Sequence, residues 1–246
     1  MEIWEYWLIS GINVVTSMLT AITGMGGGTV LVAILPMFLP SMAVIPVHGA
    51  TQLASNVSRA YLSREMIEFT YVKPFALGAL VGVVIFGSLV HFISLELVPL
   101  FIACYILLTQ WSKTVNHLLK NIENFYIIGF VQMGMVLFVG AAGPMHMPLL
   151  LKKYDNSHMA VTVGSLMMSL AHAAKIGVYV WLGFSFLAYW QLIVMMIVAA
   201  SVGSWLGVRA RQFVPADKLK KLLPWLLTVM ALKLIIGTVL KQGWLE

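Results

Sequence analysis

Gly24-Met25-Gly26-Gly27-Gly28 lies inside a long apolar stretch, and a weaker copy, Gly140-Ala141-Ala142-Gly143-Pro144, follows about half a chain later. Each glycine costs about 1 kcal/mol against alanine in a helix interior, so the cluster predicts a break rather than a continuous coil. Broken backbone at membrane depth survives only where protein or a wet cavity surrounds it. A half-helix that starts there presents unbonded N–H groups and the positive end of its dipole, which together suit an anion. The spacing predicts half-helices opening at Gly28-Thr29-Val30 and at Pro144-Met145-His146. Gly26, Gly27, Gly28, Thr29, Met145 and His146 are therefore candidate substrate-binding positions. Breaks in matching positions of two halves point to the binding site of a transporter. Close helix packing is the alternative for small residues, and it is the favoured reading for Gly78 and Gly82.

Polar residues inside two apolar runs point the same way. His48, Thr51, Gln52, Ser55, Asn56 and Arg59 recur at three- and four-residue spacing, as do Thr162, Ser165, Ser169, His172 and Lys175. That spacing gathers many of them on one helical face, and polar groups in membrane helices face the bundle interior or a water cavity. Gln52, Ser55, Asn56, Arg59, Ser165, Ser169, His172 and Lys175 complete the candidate substrate-binding set. Interhelical hydrogen bonding is the competing reading for each hydroxyl and amide. For Arg59, a turn from Arg64, it is snorkelling to the cytoplasmic surface. Lys175 falls well inside its run, where a cation costs about 3 kcal/mol or more unless something compensates it.

The acidic residues all lie at run ends or in loops, which argues against a cation carrier and against a carboxylate proton relay. If a proton couples to transport, His48, His146 and His172 are the intramembrane groups that titrate near neutrality. No Ser/His/Asp set, His-Glu-x-x-His or Gly-x-Ser-x-Gly appears, so an enzyme is not expected. Met145-His146-Met147 offers soft ligands that suit copper(I), but no further converging ligands accompany it. Neither a metal nor another cofactor is expected.

The elements that must position these residues are membrane helices. Of 246 residues, 61% are hydrophobic and only 10% charged, too few charges for the surface of a soluble domain. A net charge of +6 resides in basic loops rather than in a nucleic-acid face, and a single cysteine, Cys104, excludes a disulfide framework. Cys104 itself reads as a small packed hydrophobe. Residues 1–115 and 125–246 each read as an apolar run, a glycine break, a short half-helix and three further helices, with 116–124 as the linker. If the broken helices turn back as re-entrant hairpins, Arg64, Lys73, Lys152, Lys153, Arg209 and Arg211 all face the cytoplasm. Three crossings per half then make the repeats inverted. The expected fold is an all-α polytopic membrane protein of two inverted repeats, each a broken-helix hairpin plus three transmembrane helices. Six crossings place both termini outside, in the plasma (inner) membrane of a prokaryote.

These residues resemble the sulfite exporter TauE/SafE family, also called TSUP. The resemblance rests on Gly24-x-Gly26-Gly27-Gly28 with Pro36 behind it, Gly49-Ala50-Thr51 opening the next helix, Gly78-xxx-Gly82, and the two-half plan. The second break departs from it by carrying Gly140-Ala141-Ala142-Gly143-Pro144 rather than another glycine triplet. The resemblance implies a small sulfur-containing anion as substrate: sulfite, an organosulfonate, sulfoacetate or thiosulfate. The expected function is secondary transport of that anion by alternating access, with a coupling proton or ion as a further partner. A passive anion channel and a Met/His copper-handling protein are the alternatives.

Overall fold

The computed structural model describes residues 2–141 and 145–242, and these are helical, with no strand among them. The first half holds α1 (Ile3–Thr23), α2 (Gly27–Ile34), α3 (Ser41–Leu62), α4 (Val72–Val90) and α5 (Val98–Trp111). A connecting helix α6 (Lys113–Asn121) follows, and then α7 (Phe125–Phe138), α8 (Met147–Lys153), α9 (Ser157–Trp181), α10 (Trp190–Ala210) and α11 (Ala216–Lys241). The order in each half is thus a helix, a break, a short helix and three longer helices.

Burial is reversed relative to a water-soluble protein. Leu80, Val84, Leu222, Trp225 and Val229 are exposed, while Asn13, Gln52, Arg59, Gln132 and Lys175 are buried. Apolar surface facing outward around a polar interior is what a bilayer selects. Five helices are long and apolar enough to cross a membrane: α1, α4, α9, α10 with the short turn before it, and α11. The α5–α6 pair, bent by 84°, makes a sixth if it counts as one span.

This assignment differs from the sequence-based one in two helices. The first run is one unbroken helix of 21 residues, long enough to cross rather than only to dip in, whereas α7 has 14. Conversely, α3 has 22 residues but is not among the five, because its face carries His48, Gln52, Asn56 and Arg59. Most of the stretch 116–124 is helical, since α6 occupies it. The Ser112 hydroxyl starts that helix by accepting the Val115 N–H at 3.2 Å. Cys104 is exposed on α5 rather than packed inside.

The two halves grip each other through glycines. Gly78 of α4 lies against the Tyr126 carbonyl of α7, and Gly129 of α7 lies against the Phe75 carbonyl of α4. On the other side Gly203 of α10 lies against the Val14 carbonyl of α1, and Gly207 packs on Ala21. A β-carbon at any of these contacts would push two helices apart, which is how small residues hold membrane bundles together. The packing reading of Gly78 and Gly82 is therefore what the structure contains. Between these two pairs, α3 packs on α9 in antiparallel fashion: Arg59 meets Ser165 at one end, and Gly49 meets Lys175 at the other.

Candidate functional site

The first break is built by positive backbone angles. Gly24, at φ 83°, closes α1 with its N–H bonded to the Thr20 carbonyl at 2.8 Å, and Gly26, at φ 94°, caps α2. Side chains other than glycine rarely adopt those angles, which explains the residue type at both positions. The first bonded amide of α2 is Val30, donating to the Gly26 carbonyl at 2.9 Å. The amides of Gly27, Gly28 and Thr29 therefore precede the helical ladder.

The second break begins at Gly140, φ 84°, but Ala142, Gly143 and Pro144 lie outside the described residues. The half-helix expected to open at Pro144 starts later, at Met147 with His146 as its cap and Pro148 in the first turn. Pro148 takes the helix-opening role that the sequence cue gave to Pro144, and it lacks an N–H. The two N-termini are therefore unequal, with α2 offering more donors.

Both breaks border one cavity of about 50 Å³, counted as the space open to the centre of a water-sized sphere. A single water needs about 10–15 Å³ on that measure, so the cavity suits a few waters or one compact polyatomic ion. The α1–α2 break contributes Thr20, Gly24, Met25, Gly26, Gly28 and Thr29. From α3 come His48, Gln52, Asn56 and Arg59, one residue per turn down a single face. From α9 come Gly164, Ser165, Met168 and His172, and Ala141 and His146 close the second side.

Nine of the sequence candidates thus share this wall: Gly26, Gly28, Thr29, Gln52, Asn56, Arg59, His146, Ser165 and His172. The other five stand behind it. Gly27 faces α1, where a β-carbon would strike the Thr16 carbonyl. Ser55 is buried beneath Arg59, and Met145 is buried in the apolar core. The Ser169 hydroxyl bonds back to the Ser165 carbonyl at 2.8 Å, the local helical alternative open to any serine. Lys175 ties the breaks together: its Nζ donates to the Gly140 carbonyl at 3.1 Å and lies 3.3 Å from His48 Nδ1. His48 Nε2 in turn lies 2.9 Å from the Gly28 carbonyl, so one chain of polar contacts joins Gly28 to Gly140.

Arg59 is the electrostatic centre. Only 2% exposed, it is held by neutral acceptors. Nε donates to Ser165 Oγ at 3.2 Å, Nη1 to Ser55 Oγ at 2.7 Å and Ser204 Oγ at 3.4 Å, and Nη2 to Asn56 Oδ1 at 2.6 Å. A guanidinium has five N–H donors, so one is left over. Among the described residues no carboxylate is buried, and the one ion pair, Lys152–Glu123, lies on the surface. A buried cation without a countercharge is costly, and an anion in the cavity would supply the missing partner. Gln52 Nε2, also buried, has no hydrogen-bond partner among the described residues.

Sequence reasoning missed several contributors. Ser204 of α10 holds both Arg59 and the Ser55 carbonyl, the latter at 3.1 Å. Gln132 of α7 lies about 3.1 Å from His146 Nδ1 and fixes that ring. A lone Gln in an apolar run was the available signal; Ser204 had none beyond its spacing from Ser201. Arg211 does more than orient the chain. Its Nε donates to the Ala21 carbonyl at 2.7 Å, satisfying a group near the end of α1. Burial lowers its pKa to about 10, which still leaves it cationic at neutral pH.

A family model described as Sulfite exporter TauE/SafE matches residues 9–234, nearly the whole chain. The chain belongs to the sulfite exporter TauE/SafE family. As a member, it is an integral membrane protein of a transporter family, and its membership implies passage of sulfite or a related sulfur anion. Among curated proteins and among solved structures, nothing matches.

Proposed function

We propose that the protein is a secondary transporter that binds a small sulfur-containing oxyanion, sulfite foremost, between the first turn of α2 and Arg59. The observation that carries this reading is a buried guanidinium with a spare N–H and, among the described residues, no countercharge, in the same cavity wall as Gly28 and Thr29. The Gly28 and Thr29 amides meet the anion from one side, and Arg59, Gln52 and Asn56 meet it from the other. A cavity of about 50 Å³ favours compact sulfite over sulfoacetate or longer organosulfonates.

Alternating access follows from two inverted halves rocking about the α3–α9 contact. The antiparallel crossing of α3 and α9 supports inversion, because a two-fold axis along the membrane normal would leave equivalent helices parallel. Inversion with basic loops inside puts both termini outside the plasma membrane. The test is flux of radiolabelled sulfite into proteoliposomes. The reading predicts saturable uptake that unlabelled sulfite on the far side accelerates by exchange. Unsaturable flux without exchange would favour a passive anion channel.

A further inference from the structure

Three histidines border the cavity, and they differ in what their ring nitrogens touch. His48 has both engaged, Nε2 by the Gly28 carbonyl at 2.9 Å and Nδ1 by Lys175 Nζ at 3.3 Å. Only one tautomer satisfies both contacts: Nε2–H donates to the carbonyl and Nδ1 accepts from the lysine. A second proton on His48 would break the lysine contact and set two cations side by side. His146 has Nδ1 against the Gln132 amide, at 3.1 Å from Oε1. His172 stands apart. Its ring is 2% exposed, and its Nδ1 is buried with no hydrogen-bond partner among the described residues.

The groups around His172 explain when it would take a charge. From α3 it is faced by His48, whose ring lies edge-on at 5.9 Å, and by Arg59; on its own helix α9 lies Lys175. His146, ahead of α8, borders the same cavity, and no described carboxylate is buried there. Among the described residues the cavity wall therefore carries fixed positive charge and no negative charge. A singly charged oxyanion balances Arg59, whereas a doubly charged one leaves a negative charge for which the described residues of the wall offer no second free cation, since Lys175 is tied to Gly140 and His48.

We propose that His172 is the proton acceptor that couples this carrier to protons, so that a doubly charged oxyanion enters the cavity together with one proton. The inference rests on the oxyanion reading above. The proton comes from solvent and adds to the lone pair of the neutral imidazole. The imidazolium then donates an N–H to the anion, and the proton leaves with the anion on the opposite side, restoring the neutral ring. No bond within the anion changes.

The test is isothermal titration of sulfite into the purified protein at alkaline pH, repeated in buffers of different ionisation enthalpy to count protons taken up on binding. Wild-type protein and His91→Gln, a change at an exposed histidine away from the cavity, are expected to take up about one proton per sulfite bound, a His172→Gln variant close to none while still binding. Binding by wild-type protein without proton uptake overturns this proposal alone, and so does undiminished uptake in His172→Gln. No sulfite binding at all overturns the oxyanion reading and this proposal with it. Should His172→Gln fail to fold, nitrogen NMR of histidine-labelled wild-type protein decides. One ring is expected to become doubly protonated on sulfite addition, and no change in any ring would refute the idea.

Discussion

Arg59→Gln removes the cavity's unbalanced charge and leaves most of the wall in place. A glutamine still reaches Ser55 or Asn56 on its own helix but loses the contacts to Ser165 and Ser204. Three lost hydrogen bonds cost about 3 kcal/mol of stability, and removal of a lone buried cation offsets part of that, so the variant should fold. Binding suffers more, because the anion loses its charged partner at a buried position. Truncating one member of such a pair costs about 2–5 kcal/mol. At about 1.4 kcal/mol per tenfold, the sulfite Kd should weaken about 30-fold to a few thousand-fold. Arg59→Lys keeps the charge but not the fork and should fall between the two. Titration calorimetry on purified, folded variants measures both. A folded Arg59→Gln protein that binds sulfite within about threefold of wild type would refute the electrostatic reasoning.

Four further substitutions probe other parts of the site and the fold. Gly28→Ala would place a methyl 2.9 Å from Gln52 Oε1, a flexible neighbour, so the protein should fold while its cavity narrows. Sulfite flux into proteoliposomes should drop at least about tenfold, equivalent to about 1.4 kcal/mol. Ser204→Ala removes an acceptor from Arg59 and should weaken sulfite binding about fivefold, the equivalent of about 1 kcal/mol, in the same titration. Gly78→Ala drives a methyl into the Tyr126 carbonyl and should sharply lower the melting temperature in detergent. Gly177→Ala on α9 meets nothing within 4 Å and should hold or raise the melting temperature by relieving a helix glycine, worth about 1 kcal/mol at most.

How much of this was legible in the sequence follows from which signals are local. The break at residues 24–28 was readable because four glycines in five residues leave a helix few alternatives. The α3 face was readable because His48, Gln52, Asn56 and Arg59 fall one per turn. The second break was less so. Its start shifts from Pro144 to Met147, since Pro144 and Pro148 carry the same helix-opening cue and nothing local ranks them. Lys175 illustrates a different limit. Its intramembrane position was plain, but whether it faced the anion or tied Gly140 to His48 depended on the three-dimensional path of two breaks. Ser204 and Gln132 became visible only when α10 and α7 were brought against the cavity residues they hold.

The central claim is that a small oxyanion sits between the first turn of α2 and the Arg59 guanidinium. Selenite, the heavier analogue of sulfite, allows the position to be seen directly by anomalous X-ray scattering from crystals grown with it. The account predicts one selenium peak within about 4 Å of both the Gly28 amide and Arg59 Nη2, as oxygen-mediated hydrogen bonds of about 2.9 Å require. A selenium peak at the basic surface, away from both groups, in crystals of protein that binds selenite would contradict it.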